Sequence, residues 1–358
     1  MPVFRIGHAS DLHLSRISDR LNPILAPTAD TLAKKSLSAF RAILKNRSWH
    51  AGFYPSTFNP DVAVELLRTL AKDFTSLDAL VVTGDLATTG NDDDVAIARD
   101  YFFGKIPPDW NPASFYPSLT DSLPFPLVTL PGNHDRYETI ALLPTSKAFE
   151  RHFSDTWDFG KQHVYSIDGA SNRVKLFALQ KGKDALVVVL ADLSLESRAS
   201  GEGVWGWIGQ GLATAEIVGD LVKSTEFVRE QASEEGVGAA FVWAVHFPPS
   251  FPNNGADLEL LNSSELVGAA HDCGVHALLT GHTHRELEYS LKRDRPRDID
   301  AASHAIDDLR VFCSGASCGI GPENLYSFAT IDITVEGGQI ISSSRRVYRY
   351  DSNIRTFI

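Results

Sequence analysis

The distribution of hydrophobic positions predicts buried strands alternating with amphipathic helices in the first part of the chain. Short apolar runs at residues 3–9, 80–83 and 127–130 are typical of buried strands. Apolar residues at helical spacing predict helices at 61–74 and 92–103. This strand–helix–strand order favours parallel strands joined by right-handed crossovers. The chain is therefore predicted to be an α/β protein.

The rest of the chain continues the pattern. Apolar runs predict buried strands at 239–245 and 275–280, and helical spacing predicts helices around 146–153, 212–232 and 260–273. Further strands with an antiparallel pattern are predicted at 163–167, 174–179, 185–191, 285–291, 311–314, 326–335 and 339–350. We see no interdomain linker. We expect one domain over 1–358, with an insertion at about 14–59 and a C-terminal antiparallel region at about 285–358.

Composition narrows the class of protein. The 358 residues are 43% hydrophobic and 22% charged, which is ordinary for a globular protein. A net charge of −12 argues against a broad nucleic-acid surface. The N-terminus lacks the pattern of a signal peptide, and no apolar stretch is long enough for membrane insertion. The three cysteines, Cys273, Cys313 and Cys318, lack zinc-motif spacing and are expected to be buried thiols. We therefore expect a cytoplasmic protein, and a homo-oligomer is compatible with the sequence.

Five of the predicted strands end in side chains that bind metals or exchange protons. In chain order these side chains are Asp11 and His13, Asp85, Asn133 and His134, His246, and His282 and His284. The carboxyl ends of parallel strands meet where ligands usually bind an open α/β sheet. Pro131, Gly132 and Asn133 are also good turn residues. Five strand ends of this kind in one chain are hard to explain as turns, so we interpret them as one site.

The residue types at these strand ends indicate a metal centre. Without His134, the set holds two aspartates, one asparagine and four histidines, a mixture that suits zinc, iron or manganese. Seven side chains exceed the four ligands of one tetrahedral ion, whereas two ions sharing a carboxylate would use them all. Two such ions can activate a bridging water for in-line attack on phosphorus. His134 is placed to protonate the leaving group, because an imidazole ordinarily titrates near pH 6.5.

These segments resemble the calcineurin-like metallophosphoesterase superfamily. The chain carries five motif blocks of that superfamily in order between Asp11 and His284, and the blocks are Asp11-x-His13, Gly84-Asp85, Gly132-Asn-His-Asp135, His246 and Gly281-His-x-His284. The resemblance implies a four-layer α/β/β/α sandwich with two central mixed sheets. It also implies two metal ions (iron, manganese or zinc) and hydrolysis of a small phosphoester substrate.

The resemblance further implies a role for each residue. One ion would be held by Asp11, His13, Asp85 and His284. Asp85 would bridge to a second ion, which would also take Asn133, His246 and His282. His134 would contact the phosphate and protonate the leaving group, and Asp135 would orient the site.

Several functions are compatible with this resemblance. The residues in and around the motifs are similar to those of the branch that contains bacterial cyclic-nucleotide and glycerophosphodiester phosphodiesterases. This similarity implies phosphodiester substrates such as cyclic nucleotides. The chain departs from the family pattern at Val245 and Phe247, because a second histidine usually lies beside the position of His246. A nucleotide-sugar or lipid pyrophosphatase would need an apolar surface, for which only the insertion is a candidate. A DNA-repair-type nuclease conflicts with the net charge of −12, and a catalytically dead binding scaffold predicts lost ligands, none of which is missing.

Other residues near the motifs have less specific interpretations. His8 either supports the site or is a core histidine. We expect Arg136 and Arg285 to form surface ion pairs rather than to contact a phosphate. The loop with Trp205 and Trp207 is either a surface loop or a lid facing the substrate. The remaining histidines are expected to be structural or exposed, and they are His50, His152, His163, His271, His276 and His304.

Overall fold

The computed structural model describes most of the chain. The described residues are 1–15, 58–107, 110, 123–137, 144–157, 173–195, 211–250, 260–293, 306, 308–319 and 325–358. Most of the predicted insertion at 14–59, the predicted strand at 163–167, and Trp205 and Trp207 lie outside these residues. The same is true of the histidines His50, His163 and His304.

The described residues form helices and strands close to those predicted. The strands are β1 (Val3–Ala9), β2 (Ala79–Thr83), β3 (Leu127–Leu130), β4 (Val174–Lys181), β5 (Asp184–Ala191), β6 (Gly238–Val245), β7 (Val275–Thr280), β8 (Leu287–Lys292), β9 (Asp308–Cys313), β10 (Ser327–Glu336), β11 (Gln339–Asp351) and β12 (Thr356–Phe357). The helices are α1 (Pro60–Asp73), α2 (Asp92–Phe102), α3 (Ala148–Trp157), α4 (Ala215–Glu234) and α5 (Ser263–Asp272).

The strands form two mixed sheets of six strands each. The first has the order β12-β11-β10-β1-β2-β3, and its members β1, β2 and β3 are parallel. The second has the order β4-β5-β6-β7-β9-β8, with β5, β6, β7 and β9 parallel. The C-terminal region is therefore not wholly antiparallel as predicted, because β9 pairs in parallel with β7 and only its other edge pairs antiparallel with β8. The short strand β12 has no counterpart in the prediction.

Side-chain alternation in β5 shows how the layers are stacked. Val187, Val189 and Ala191 join the hydrophobic cluster that includes residues of α4 and α5. Leu186 and Val188 point to the opposite face and join the cluster that also includes β1, β2 and α1. Successive residues of a strand point to opposite faces, so this sheet is covered on both sides. The fold is the predicted four-layer α/β/β/α sandwich.

Local chemistry explains where the helices begin. The Asn59 side chain accepts hydrogen bonds from the backbone N–H groups of Asp61 and Val62, and Pro60 occupies the first turn of α1. Helix α4 begins later than the predicted residue 212, because Leu212 forms an isolated parallel bridge with Leu261. The cap of α4 is Thr214, whose hydroxyl accepts from the N–H of Ile217.

The cysteines are buried thiols, as composition and spacing predicted. Cys273, Cys313 and Cys318 are free thiols, and all three are buried. Among the described residues, no helix combines the length and the apolar character that crossing a membrane would require.

The core of the second sheet gives a test of the fold. Trp243 in β6 is fully buried, and its indole N–H donates to the Thr225 hydroxyl of α4 at 3.0 Å. We expect Trp243→Ala to lower the free energy of unfolding by about 3–5 kcal/mol, since it leaves a large cavity and an unpaired hydroxyl acceptor. Urea unfolding followed by circular dichroism measures this change.

The matched control is an exposed aromatic residue on α4. Phe227 is 37% exposed, so Phe227→Ala should change the free energy of unfolding by only about 0.5 kcal/mol. Equal losses for the two variants would contradict the packing of α4 on β6.

Candidate metal centre

The loops that follow β1, β2, β3, β6 and β7 converge at one edge of the sandwich. The Asp11 N–H donates to the Gly84 carbonyl at 3.1 Å, which joins the ends of β1 and β2. The Gly281 N–H donates to the His246 carbonyl at 2.9 Å, which joins the ends of β6 and β7. The two sheets are connected where the His246 Nδ1–H donates to the Thr83 carbonyl at 2.6 Å. The residues predicted from the strand ends are therefore brought together.

Left-handed backbone conformation is concentrated at these loops. Positive φ is uncommon for residues other than glycine, and such residues cluster at functional sites. Five of the candidate ligands adopt it, namely Asp11 (53°), His13 (53°), Asp85 (52°), His282 (69°) and His284 (55°). All five lie within four residues of the end of a strand. This feature of the site had no signal in the sequence.

The glycines of the motifs allow this close approach of the loops. A Cβ on Gly84 would lie 2.5 Å from Nδ1 of His246, and one on Gly132 would lie 2.5 Å from the backbone nitrogen of Asp85. A Cβ on Gly281 would lie 2.9 Å from Oδ2 of Asp11. Distances this short are incompatible with a side chain, so each glycine is required by its neighbour in the site.

Asp11, His13 and His284 form the first group of candidate ligands. His284 Nε2 lies 3.3 Å from Asp11 Oδ1 and 3.1 Å from His13 Nε2. His13 Nε2 lies 4.0 Å from Asp11 Oδ1. Ligand atoms about 2.1 Å from one tetrahedral ion would lie about 3.4 Å apart. The spacing of this group is close to that of ligands around a common ion.

Asp85, His246 and His282 form a second group. His246 Nε2 lies 3.4 Å from Asp85 Oδ2 and 3.2 Å from Asn133 Oδ1, so Asn133 adjoins the group. Asp85 Oδ2 is also 3.8 Å from His13 Nε2 of the first group. One carboxylate oxygen therefore lies between histidines of both groups.

The chemistry of these buried groups fits metal ions. Asp11 Oδ1 and His282 Nε2 are buried without a hydrogen-bond partner, which is costly unless another ligand contacts them. Burial lowers the pKa of His282 to about 3, so its imidazole is neutral, the form that binds metals. Burial alone would raise the pKa of Asp11 and Asp85, but His284 beside Asp11 and His246 beside Asp85 hold both values below the usual range. The carboxylates are therefore ionised and suited to a cation.

His246 has the hydrogen bond of an oriented metal ligand. Its Nδ1 donates to the Thr83 carbonyl, which leaves Nε2 directed at Asp85 and Asn133. Burial by itself would lower the pKa of His246, but the charge of Asp85 raises it to about 9. A cation bound at Nε2 would take the place of that proton.

His134 lies beside the candidate ligands and is partly exposed. Its N–H donates to Asp85 Oδ1 at 2.8 Å, and its ring meets the His13 ring edge-on with centroids 4.5 Å apart. Because a carbonyl only accepts, Nδ1 of His134 donates to the Thr88 carbonyl at 2.9 Å. Nε2 is then the nitrogen that can exchange a proton. His134 also forms a candidate ligand group with His13 and Asp85, so proximity alone does not separate the two roles.

Asp135 is buried and binds backbone rather than candidate ligands. Its carboxylate accepts from the N–H groups of Leu86 at 3.2 Å, Ala87 at 2.8 Å and Gly132 at 2.8 Å. Burial, together with the charge of Asp85, raises the pKa of Asp135 to about 7. The side chain ties the loop after β2 to the loop after β3, which agrees with the expected orienting role.

Arg136 corrects one expectation from the sequence. The predicted surface ion pair is wrong, because Arg136 is only 1% exposed. Its guanidinium lies 2.6 Å from buried Asp192, at the end of β5, and 2.7 Å from Glu150 of α3. A buried cation needs such partners. Arg136 thus connects the edges of the two sheets, whereas Arg285 is exposed.

His8 combines the two interpretations that the sequence allowed. It is fully buried, and burial lowers its pKa to about 3, so it is a neutral core histidine. Its Nε2 lies 3.1 Å from the Thr83 hydroxyl, and the Thr83 carbonyl holds His246. Sequence reasoning missed Thr83 and Thr88, because both contact site histidines through backbone carbonyls.

The other described histidines lie in the fold as expected. His271 is buried with Nδ1 3.0 Å from the Ile306 carbonyl. His152 pairs with exposed Asp92 at 3.0 Å. Burial lowers the pKa of His276, which is consistent with a structural position.

Comparison with solved structures found similar chains at low identity. A purple acid phosphatase, PPD1, from yellow lupin is 12% identical with a TM-score of 0.47, and the match covers 96% of this chain but only 53% of that protein. The calcineurin-like phosphoesterase YfkN from Bacillus subtilis is 12% identical with a TM-score of 0.42, covering 99% of this chain and 93% of that one. GAP50 of Plasmodium is 9% identical with a TM-score of 0.38, covering 96% and 89%. This chain thus spans about half the length of the lupin protein.

The family comparison is more specific. No curated protein matches this chain. The calcineurin-like phosphoesterase family model matches residues 4–286, which is more than half of the chain and includes all five strand-end motifs. The match begins in β1 and ends just after His284. The chain therefore belongs to the calcineurin-like phosphoesterase family.

Proposed function

We propose that this protein is a binuclear metal-dependent phosphoesterase that favours phosphodiesters such as cyclic nucleotides. Its family supports metal-dependent hydrolysis of phosphoesters. The observation that carries the proposal is the position of Asp85, whose Oδ2 lies 3.8 Å from His13 Nε2 and 3.4 Å from His246 Nε2. A carboxylate shared in this way is what two neighbouring ions need.

The candidate ligands divide into two sets around Asp85. Asp11, His13 and His284 would hold one ion with Asp85. The second would be held by Asp85 with the remaining ligands, which are Asn133, His246 and His282. When bound, the two ions supply Lewis-acid activation of the phosphoester and of the attacking water.

His134 supplies the acid–base chemistry in this proposal. The Thr88 carbonyl fixes the proton on Nδ1, and the N–H bond to Asp85 fixes the backbone. In the protonated ring, Nε2 carries the second proton, which it would donate to the departing oxygen of the substrate. His134 would return to its protonated state by taking a proton from solvent, to which the side chain is partly open.

The proposed preference for phosphodiesters is based on the similarity of the motif residues to those of the phosphodiesterase branch. This preference, the cyclic-nucleotide substrate, the metal identity and the cytoplasmic location stay predictions. So do the arrangement of 1–358 as one domain and the homo-oligomer that the sequence allows.

Substrate class is tested with three compounds. We expect the purified protein, loaded with manganese, to hydrolyse bis(p-nitrophenyl) phosphate faster than p-nitrophenyl phosphate and to hydrolyse cyclic nucleotides. Initial rates with elemental analysis of the same sample measure this. Faster hydrolysis of the monoester would reject the diester preference, and metal-loaded protein inactive on all three would favour the binding-scaffold reading.

Asp85 is tested by removing its charge while keeping its size. Asp85→Asn should lower kcat/KM by at least about 100-fold, because losing one preorganised group that supports the transition state typically costs about 10²–10³ in rate. Bound metal should fall from two ions per chain to one or fewer, measured by mass spectrometry of the digested protein.

The control for Asp85 is an aspartate far from the site. Asp332→Asn removes a partly exposed ion pair with Arg5, which is 2.7 Å long, and should change neither metal content nor activity. Full metal content and full activity in folded Asp85→Asn protein would reject the proposed centre.

His134 is tested by its dependence on the leaving group. His134→Gln should slow hydrolysis of substrates with alkoxide leaving groups by about 10²–10⁴-fold. It should slow release of p-nitrophenolate much less, because that anion leaves without a proton. Metal content should stay at the wild-type value, measured in the same samples.

His152→Gln is the matched control, since His152 is a surface histidine paired with Asp92. This variant should hydrolyse substrates with alkoxide leaving groups and substrates with p-nitrophenolate leaving groups at the wild-type rates. Equal slowing of both substrates by His134→Gln would contradict the role of proton donor, and loss of a metal ion would identify His134 as a ligand instead.

A further inference from the structure

Residues 314–319 pack against the loop after β1, which carries the candidate ligands Asp11 and His13. This segment lies outside every motif found in the sequence. It follows β9 and is buried throughout. The Ser317 N–H donates to the Ser10 carbonyl at 2.9 Å, and the Ser10 N–H donates to the Ser317 hydroxyl at 3.1 Å. The Gly319 N–H donates to the Asp11 carbonyl at 3.0 Å. The segment therefore runs along residues 10–11 as an added strand would.

Gly319 is the point of closest approach. A Cβ at this position would lie 2.6 Å from Cδ2 of the His13 ring and would also overlap the Asp11 carbonyl oxygen. The backbone of Gly319 is not in the left-handed region, so a glycine is not needed for its conformation. Glycine is needed at this position because there is no space for a side chain. The motif glycines Gly84 and Gly132 press on His246 and Asp85 in the same way.

A second set of contacts holds Gly319 from the opposite side. Phe58 forms an antiparallel bridge with Gly319, and the Asn59 N–H donates to the Cys318 carbonyl at 2.9 Å. Phe58 packs on Trp110 with ring centroids 4.9 Å apart, and it is buried. Because Gly319 is held between these residues and His13, it cannot retreat to make room for a side chain.

We propose that Gly319 is a positioning residue, which sets the place of His13 and thereby the site of the first metal ion. The inference rests on the proposed binuclear function. Gly319 contacts neither substrate nor ion in this view, and it acts through the His13 ring and the Asp11 backbone. A displaced His13 weakens the site of Asp11, His13 and His284, whereas the nearest neighbours of Gly319 include none of Asn133, His246 and His282.

The test uses the full chain loaded with manganese. Gly319→Ala should weaken binding of one Mn²⁺ by about 10- to 100-fold, the usual effect of losing a residue that orients a metal ligand. The other Mn²⁺ should bind with wild-type affinity. Electron paramagnetic resonance should show an isolated six-line Mn²⁺ signal in place of the spectrum of a coupled pair. General destabilisation would lower the folded fraction without producing that spectrum.

The matched control is a glycine without neighbours. Gly268 lies in α5, and a Cβ there would meet no atom within 4 Å. Gly268→Ala should keep two Mn²⁺ ions and the coupled spectrum. Two tightly bound ions and a coupled spectrum in Gly319→Ala would overturn the inference. Wild-type protein that binds no pair of ions would instead overturn the proposed metal centre, and the inference with it.

A second variant covers the case in which Gly319→Ala does not fold. Ser317→Ala keeps the backbone pairing but removes the acceptor of the Ser10 N–H, next to Asp11. It should weaken one Mn²⁺ by about 3- to 10-fold, less than the loss of a direct contact with a ligand. Unchanged affinity for both ions in folded Ser317→Ala protein would overturn the inference.

Discussion

The burial of Asp85 among histidines from both sheets is the interaction on which the site depends. Removing a carboxylate from water costs several kcal/mol unless charges or hydrogen bonds compensate. Here the compensation comes from His246 at 3.4 Å, His13 at 3.8 Å and the backbone N–H of His134 at 2.8 Å. Each of these groups follows a different strand, so the charge of Asp85 can be accommodated only when both sheets are assembled. The site therefore forms only when the two sheets have folded together.

The buried charges around Asp85 extend this requirement across the edge of the sandwich. Asp135 holds the loops after β2 and β3 together, and Arg136 next to it crosses to Asp192 after β5. Arg345 of β11, in the first sheet, pairs with largely buried Glu286, which follows the last motif in the second. Removing one partner from such a buried pair leaves an uncompensated charge, which typically costs about 3–5 kcal/mol. These pairs join the two sheets that bring His13 and His246 within 4 Å of Asp85 Oδ2.

Sequence reasoning reached the parts of this structure that depend on local patterns. The strands β1, β3 and β7 have the predicted bounds, and the strand-end residues gather at one edge as expected. Sequence reasoning failed for features that depend on contacts between residues far apart in the sequence. The burial of Arg136 depends on Asp192, which lies 56 residues away, and the parallel pairing of β9 depends on where β8 folds back. The contact of Gly319 with His13 joins residues some 300 positions apart, and a lone glycine carries no pattern that announces it.

Backbone strain explains why so many contacts converge on a few ligands. Asp11, His13, Asp85, His282 and His284 all have positive φ, at a cost of order 1 kcal/mol or more each. Such conformations persist only where the surroundings over-determine them. The surroundings here are hydrogen bonds to neighbouring loops and glycines that admit a backbone where a side chain would collide. A loop with a bulkier neighbour or one fewer hydrogen bond would relax toward ordinary φ, and its ligand would turn away from Asp85. The fold therefore positions the candidate ligands by itself, and the glycines that let the loops approach are as much part of the site as the side chains beside them.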